Sequence, residues 1–416
     1  MAERARKESL FKVANYPAWF GADTFLLTGS AVHWIVISLM AYELSGSVTM
    51  AGWFSTLRGI TSVVTQIVGG TFIDRHDHRH LLLAQSGICG LLWLTMGLLY
   101  AMGRLTFVSF MLLCLGSSAV FGLLDGTSNA ALITVVGPER YAQAESLNQG
   151  RDAAVRMAGS PLGATLFGLW NPAPFFASAF CDFAAFACSL TLHLPERPEL
   201  KEAKGDLRSF MGELIEGWQW VFASETIVSM VLIMGIFEFG AMCMMQAINL
   251  QLVSVGTDAF LLSMVNLASG MATLLGSLIS ARVCDRVPVG RGAVLILAFM
   301  MLGYLPLVFS SSFGVVVLSS ILTCLPLPLF GALINGFVFS KTPVERQGRT
   351  RAAVMTAIMF IGSGSGAVAG ELLPRIGFAG VVMAMMSLLL LSVILAATNP
   401  HIRTIPASPS WSEVDL

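Results

Sequence analysis

The chain has 416 residues, of which 55% are hydrophobic and 12% are charged, and its formal net charge is −1. Its mean hydropathy is +0.76. A soluble domain usually carries about twice this share of charged residues, and a chain with so few could not cover its own surface in water. The composition therefore favours a membrane protein, and no basic stripe with interleaved aromatic residues, the pattern typical of nucleic-acid binding, appears in the sequence.

Apolar stretches long enough to cross a bilayer recur along the whole chain. A spanning helix needs roughly 20 apolar residues, and these stretches are continuous rather than alternating, which indicates helices. In chain order they cover 17–43, 50–73, 81–101, 105–130, 143–169, 173–194, 226–250, 258–281, 292–310, 313–337, 350–372 and 377–397. The sequence thus predicts an all-α membrane protein with twelve transmembrane helices.

The loops between these helices predict the orientation and the domains. With the N-terminus in the cytoplasm, the outside loops hold only Arg104 and Arg375, whereas the inside loops hold nearly all other loop cations. We therefore expect both termini in the cytoplasm. A polar stretch at 195–225 divides the chain. The predicted parts are a six-helix bundle at 1–194, a linker with an amphipathic stretch at 195–225, a second bundle at 226–397 and a cytoplasmic tail at 398–416.

Short motifs of the first half recur in the second half, in the same order and at equivalent loops. The pairs are Asp74-Arg75 with Asp285-Arg286, Glu139-Arg140 with Glu345-Arg346, and Gln149-Gly150-Arg151 with Gln347-Gly348-Arg349. Three matches in register indicate duplicated, pseudo-symmetric halves. Repeats of this sort place a substrate site between the halves, near the middle of the bilayer.

The segment from Gly70 to Arg79 carries a family resemblance. Its Gly, three residues, Asp-Arg and following basic residues resemble the loop signature after the second helix of the major facilitator superfamily. Asp77 stands where that family usually has glycine, and His78 where it usually has a basic residue. The resemblance covers nearly the whole chain and implies the major facilitator fold. It also implies a charge latch that stabilises the outward-open state, formed by Gly70, Asp74, Arg75, Arg79, Asp285 and Arg286. A role in topology alone is the alternative.

Glycines at a spacing of four mark two of the predicted helices. Gly159-Ser-Pro161-Leu-Gly163 resembles the Gly-Pro motif of the superfamily's antiporters, and Gly362, Gly366 and Gly370 repeat the spacing on the eleventh helix. Close helix packing explains both sets. The region Gly212–Trp218 and the Glu-Arg loops are most similar to the branch of drug and siderophore exporters.

Ionisable residues inside the predicted helices are candidates for function, because charge in a bilayer is costly. Asp152 and Arg156 are four residues apart and are expected to pair. Asp125 and Arg151 lie at similar depth and are expected to pair across two helices. Arg58 could join them. Asp23 is expected to be solvated, Asp182 could equally be functional or peripheral, and His33 is expected to be a hydrogen-bonded filler. The alternative for the network is that its charges only neutralise one another.

Glu238 stands apart, since the second half offers it no obvious basic partner. An unpaired carboxyl group in an apolar helix could carry a proton, which makes Glu238 the leading candidate for coupling. A hydrogen bond to a polar neighbour or a water-exposed position is the alternative. Methionines on the same helix suit a pocket for varied apolar compounds, although ordinary packing explains them as well.

These features predict a secondary transporter that exports small apolar or amphipathic compounds by alternating access, driven by the proton gradient. One alternative is a proton-coupled nutrient symporter, with Gln246, Asn249, Asn266 and Asn335 as polar groups. Another is a membrane sensor or scaffold that transports nothing. No enzyme motif, cofactor site or metal site is expected. We expect a monomer in a bacterial plasma membrane, with a small molecule, protons and lipid as its partners.

Overall fold

The computed structural model describes residues 10–194, 225–341 and 347–407, together with a few positions between 212 and 222. The predicted linker therefore lies largely outside the described residues. All regular elements of the described residues are helices, including short 3-10 helices at Leu10–Lys12 and Cys284–Arg286. The first half contains α1 Tyr16–Ser45, α2 Val48–Arg75, α3 His78–Ala101, α4 Phe107–Leu124, α5 Thr127–Val136, α6 Pro138–Leu169 and α7 Ala173–Leu190.

The second half begins with the long helix α8. Its elements are α8 Glu225–Ser254, α9 Ala259–Val283, α10 Val289–Gly303, α11 Pro306–Phe309, α12 Phe313–Cys324, α13 Leu327–Lys341, α14 Gln347–Ser363, α15 Ser365–Thr398 and α16 Pro400–Arg403. Several are pieces of one membrane crossing, interrupted at Gly or Pro. Between α4 and α5, for example, Gly126 has a φ of 90°, a backbone conformation that glycine adopts without steric cost.

The number of membrane crossings agrees with the prediction of twelve. Nine helical stretches of the described residues are long and apolar enough to cross a bilayer. The more polar helices α2 and α6 add two. The stretch Val354–Thr398 has 45 residues, about twice the length of one crossing, and it turns at Gly377, where φ is 70°. Counting it twice gives twelve, so the predicted fold class is confirmed.

The chain divides into two compact units. One contains residues up to Ser45 and Leu57–Leu207, and the other contains Gly46–Thr56 and Arg208–Leu416. Helix α2 thus begins in the second unit and ends in the first. Within the second unit, the segment after α15 is docked rather than loose, because Ile402 and Ile405 are each 2% exposed and the backbone N–H of Gly290 donates to Ile405.

Glycine allows the closest helix contacts in both units. In the first unit, a Cβ built on Gly159 would lie 2.3 Å from the Cβ of Ala31, and one on Gly163 would lie 1.9 Å from the carbonyl oxygen of Val32. Helices α1 and α6 therefore touch backbone to backbone. Pro161 lies between these glycines, inside α6.

In the second unit, Gly366 and Gly370 pack against Gly52, where a Cβ on Gly52 would lie 2.4 Å from the Gly366 carbonyl oxygen. The expectation of a third close contact at Gly362 is wrong. The nearest atom to a Cβ there is Cγ of Met242 at 3.8 Å, an ordinary contact. Gly362 lies in α14, just before the chain is interrupted at Gly364, so it does not share the face of the other two glycines.

Candidate functional site

Arg151 of α6 is the centre of a charged triad in the first unit. Its Nη2 donates to Asp23 of α1 and, at 2.6 Å, to Asp152, while its Nε donates to the same Asp152 oxygen at 2.9 Å. The side chain of Arg151 is 9% exposed, and those of Asp23 and Asp152 are 21% and 37% exposed. Two carboxylates share one guanidinium, so the triad carries a net negative charge when both acids are ionised.

Aromatic and hydroxyl groups fix the triad in place. The Arg151 guanidinium lies 4.9 Å from the ring centroid of Phe20 and 5.9 Å from that of Trp19, within cation–π distance. The Trp19 indole donates to the Ser128 carbonyl oxygen at 2.8 Å, and the Ser128 hydroxyl donates to Asp23. Helices α1, α5 and α6 are therefore joined at this point by a continuous hydrogen-bonded network.

The triad corrects two pairings that the sequence suggested. Arg151 does not pair with Asp125, which instead accepts a hydrogen bond from Gln66 Nε2 at 2.6 Å. Asp152 bonds to Arg151 rather than to Arg156, which is exposed and lies within electrostatic range of Asp125. The contact between α1 and α6 explains this pairing. Asp23 lies eight residues before Ala31, and Arg151 lies eight residues before Gly159. Both side chains therefore lie about 12 Å along their helices from the contact between Ala31 and Gly159, at the same level.

Two other polar residues also differ from expectation. Asp23 is not simply solvated, since it holds Arg151 and Ser128. Arg58 of α2 does not join the triad, because its Nε donates to the Ser118 hydroxyl of α4 at 3.2 Å. The glycines at 159 and 163 were the one sequence signal for the face of α6 that approaches another helix, and they did not indicate that this helix is α1.

Glu238 lies in the middle of α8, in the second unit. Its side chain is half-buried, and within the described part of the chain it forms no ion pair. The Tyr304 hydroxyl, just after the end of α10, lies within electrostatic range of Glu238. The expectation that Glu238 has no basic partner stays a prediction.

The loop between α2 and α3 is held by a helix cap and by a hydrogen bond to the end of α7. Asp77 caps α3, accepting hydrogen bonds from the backbone N–H groups of Arg79 at 2.8 Å and His80 at 3.2 Å. Arg79 Nη2 donates to the carbonyl oxygen of Leu190 at 2.8 Å, at the end of α7. The side chain of Asp74 lies outside the described residues. Gly70, Arg75, Asp285 and Arg286 are exposed.

The family model described as Major Facilitator Superfamily matches residues 20–367, most of the chain. The chain belongs to the major facilitator superfamily. It is therefore a multi-pass membrane transporter that takes a small-molecule substrate, rather than an enzyme. No curated protein matches the sequence significantly.

Solved structures with the same fold include transporters of several kinds. A bacterial homologue of the iron transporter ferroportin, in the inward-facing state, has a TM-score of 0.71 and 15% identity over 94% of this chain and all of its own. The nucleoside transporter NupG has a TM-score of 0.65 and 16% identity over 91% and 97%. A bacterial homologue of the human lysosomal transporter Spinster has a TM-score of 0.64 and 13% identity over 95% and 99%. At such identities the likeness shows the fold alone.

Proposed function

We propose that this superfamily member is a proton-coupled exporter of small apolar or amphipathic compounds, such as drugs or siderophores. The observation that carries the proposal is Glu238, a half-buried carboxyl group in an apolar helix that forms no ion pair with a described residue. An ionised acid at the centre of a membrane helix costs about 2.5–3.5 kcal/mol on insertion scales, so such a residue is rare without a function. Taking up a proton removes that cost.

The side chains around Glu238 on α8 support an apolar substrate. Met242 and Met245 are 37% and 46% exposed, whereas Met230 and Met244 are fully buried. The methionines of α8 thus divide into a packed set and an accessible set. Flexible thioether side chains on an accessible surface can adapt to compounds of different shape.

The charged triad is the alternative site for the proton. Asp23 and Asp152 share the single guanidinium of Arg151, so either acid can lose this contact while the other keeps its ion pair. Asp152 is the more exposed of the two and is the better candidate. Asp125, Arg156 and Arg58 lie outside the triad and stay in the proposal as separate candidates for the substrate cavity.

The membrane, the orientation and the oligomeric state complete the proposal. The concentration of lysine and arginine in alternate loops supports cytoplasmic termini in a bacterial plasma membrane. The resemblance of the loop Gly70–Arg79 supports a latch role for Arg75 and Arg79. We propose that the protein acts as a monomer, since one chain already contains both six-helix halves.

The test is transport by purified protein in vesicles with an imposed proton gradient. Dyes, antibiotics, siderophores, nucleosides and sugars are added singly, and lumenal pH is followed for the wild type, Glu238→Gln and Glu225→Gln. The last variant is a matched control, with the same chemical change at the start of the same helix. We expect a drug-like compound to move protons in the direction of antiport, in the wild type and control but not in Glu238→Gln.

Other outcomes would replace the proposal by a named alternative. Proton movement with the sign of cotransport, triggered by a sugar or nucleoside, would mean uptake. Antiport that survives Glu238→Gln but is lost in Asp152→Asn would move the proton site to the triad. No response to any compound in the panel, from protein that is shown to be folded, would favour a sensor.

A further inference from the structure

A second polar site lies between α1 and α7 in the first unit, away from the triad. Asp182 and Ser178 of α7 are 4% and 0% exposed, and His33 of α1 is 8% exposed. The sequence left open whether Asp182 is functional or peripheral, and it predicted His33 as a hydrogen-bonded filler. Both side chains are buried in one helix interface.

The hydrogen bonds of Ser178 indicate which ring nitrogen of His33 carries the proton. The Ser178 hydroxyl donates to the Gly29 carbonyl oxygen at 3.0 Å, and the His33 Nδ1 lies 3.2 Å from the same hydroxyl oxygen. A serine hydroxyl has one proton to donate, so it accepts from His33 and the imidazole carries its proton on Nδ1. The His33 ring also lies on Trp93, with centroids 3.9 Å apart, which holds its orientation.

The carboxyl group of Asp182 lies close to the backbone of α1 at Gly29. A Cβ on Gly29 would lie 3.5 Å from Asp182 Oδ1, an ordinary van der Waals contact. Ser178 lies one helical turn before Asp182 on the same face. The carboxyl group and the His33–Ser178 pair are therefore parts of one interface.

Asp182 has no counter-ion among the described residues, with which it forms no hydrogen bond or ion pair. Among the titratable groups of the described residues, the thiols of Cys89 on α3 and Cys181 on α7 lie within electrostatic range of Asp182. His33 contacts Ser178, which lies one helical turn before Asp182. The Arg58 guanidinium of α2 lies within electrostatic range of His33. No ammonium or guanidinium group among the described residues contacts the carboxyl group. A buried carboxylate without a partner is unstable, and protonation is the usual way in which a protein removes such a charge.

We propose that Asp182 is a second proton-binding site of the transporter, built into the first unit beside the His33–Ser178 pair. The proton is held as a carboxylic acid O–H while the interface is dry, and it passes to water when the interface becomes hydrated. This inference rests on the proposed proton coupling and adds to it. With Glu238 and Asp182 each carrying one proton, two protons would move per substrate molecule.

Infrared difference spectroscopy tests the site without requiring a substrate. Spectra of the protein in lipid are compared between acidic and alkaline buffer for the wild type, Asp182→Asn and Asp258→Asn. Asp258 is a matched control, an exposed aspartate that caps α9 and can be replaced by another good capping residue. We expect the carbonyl band of a protonated, apolar carboxyl group to disappear as pH rises, in the wild type and control but not in Asp182→Asn.

A milder variant keeps the test decisive if Asp182→Asn fails to fold. Ser178→Ala retains the carboxyl group and removes the neighbouring hydroxyl, so the band should remain but disappear at a different pH. A band that is unchanged in Asp182→Asn would overturn the proposal. So would the absence of any pH-dependent change in a wild-type band, because that would describe a permanently neutral side chain.

Transport measurements separate this proposal from the proposed function. With ethidium as the probe, Asp182→Asn should reduce the protons moved per ethidium about two-fold, while Glu238→Gln should abolish coupled movement. An unchanged ratio in Asp182→Asn would overturn the role in coupling. If no variant, including the wild type, moves protons with any probe, the proposed function fails, and the infrared result alone decides whether Asp182 exchanges a proton.

Discussion

The contact between α1 and α6 can be tested by two substitutions that together transfer one methyl group from α1 to α6. In Gly159→Ala, the new Cβ would lie 2.3 Å from the Cβ of Ala31, far closer than the 3.4 Å at which ordinary contact begins. Adding Ala31→Gly removes the obstructing atom and leaves the next atoms of residue 31 at 3.1 and 3.3 Å. The single variant should therefore destabilise the protein, and the double variant should recover most of the loss.

The magnitude follows from the size of the overlap. Extra atoms in a packed interface cost about 1–3 kcal/mol, and in a unit of this size each kcal/mol lowers the apparent melting midpoint by about 2–4 °C, so Gly159→Ala should lower it by about 2–12 °C. Helix propensity does not complicate the double variant, because it exchanges a glycine and an alanine between two helices. At Gly163 the obstruction is a backbone oxygen, so no truncation of Val32 should rescue Gly163→Ala.

A thiol-reactive fluorescent dye provides the assay, because Cys89, Cys114, Cys181 and Cys243 are buried and become reactive on unfolding. Midpoints are compared at one scan rate, since membrane proteins often unfold irreversibly. Gly150→Ala is the control, as a Cβ there meets nothing within 4 Å. An equal loss of midpoint in the single and double variants would refute the proposed geometry, and so would a loss in the control.

Three other side chains give predictions that the same assay checks. Asp77→Ala removes the cap of α3 and should cost about 1 kcal/mol, or about 2–4 °C, whereas Asp77→Asn should stay near the wild type. Arg151→Gln leaves Asp23 and Asp152 without their cation and should cost about 3 kcal/mol, while Asp152→Asn should cost less because one pair remains. Gly276→Ala puts a Cβ 1.9 Å from a backbone oxygen and should lower the melting midpoint as much as Gly163→Ala. A wild-type midpoint in Asp77→Ala, Arg151→Gln or Gly276→Ala would contradict the contact that the substitution is meant to break.

The fold could be read from the sequence because the bilayer imposes a simple rule. Each crossing needs a long apolar run, and the interruptions at Gly126 and Gly364 leave the number of crossings unchanged, whereas Gly377 is the turn between two crossings. The helix α6 shows the limit of the rule. Its first half is polar, yet it is one continuous helix from Pro138 to Leu169, and two of its polar side chains, Arg151 and Asp152, are held in the triad.

The pairing of charges could not be read in the same way. Depth along a helix places Arg151 level with Asp125, but the partner is chosen by which faces touch, and that depends on packing between helices distant in sequence. The glycines at 159 and 163 contained the missing information, since they indicate the face of α6 that approaches another helix. They did not indicate which helix, and only the contact with Ala31 and Val32 settles that choice.

The distribution of partners among the acids separates two roles. Asp23 and Asp152 are bound to a guanidinium, and that pair pins α1 to α6 at a point where breaking it would leave an uncompensated charge. Glu238 and Asp182 have no such ion pair with a described residue, and each lies in an apolar helix. A carboxylate that is already paired with a guanidinium gains little from protonation. An unpaired carboxylate in an apolar helix loses its uncompensated charge when it binds a proton. The unpaired acids are therefore the better candidates for carrying protons, and the paired acids for holding the helices together.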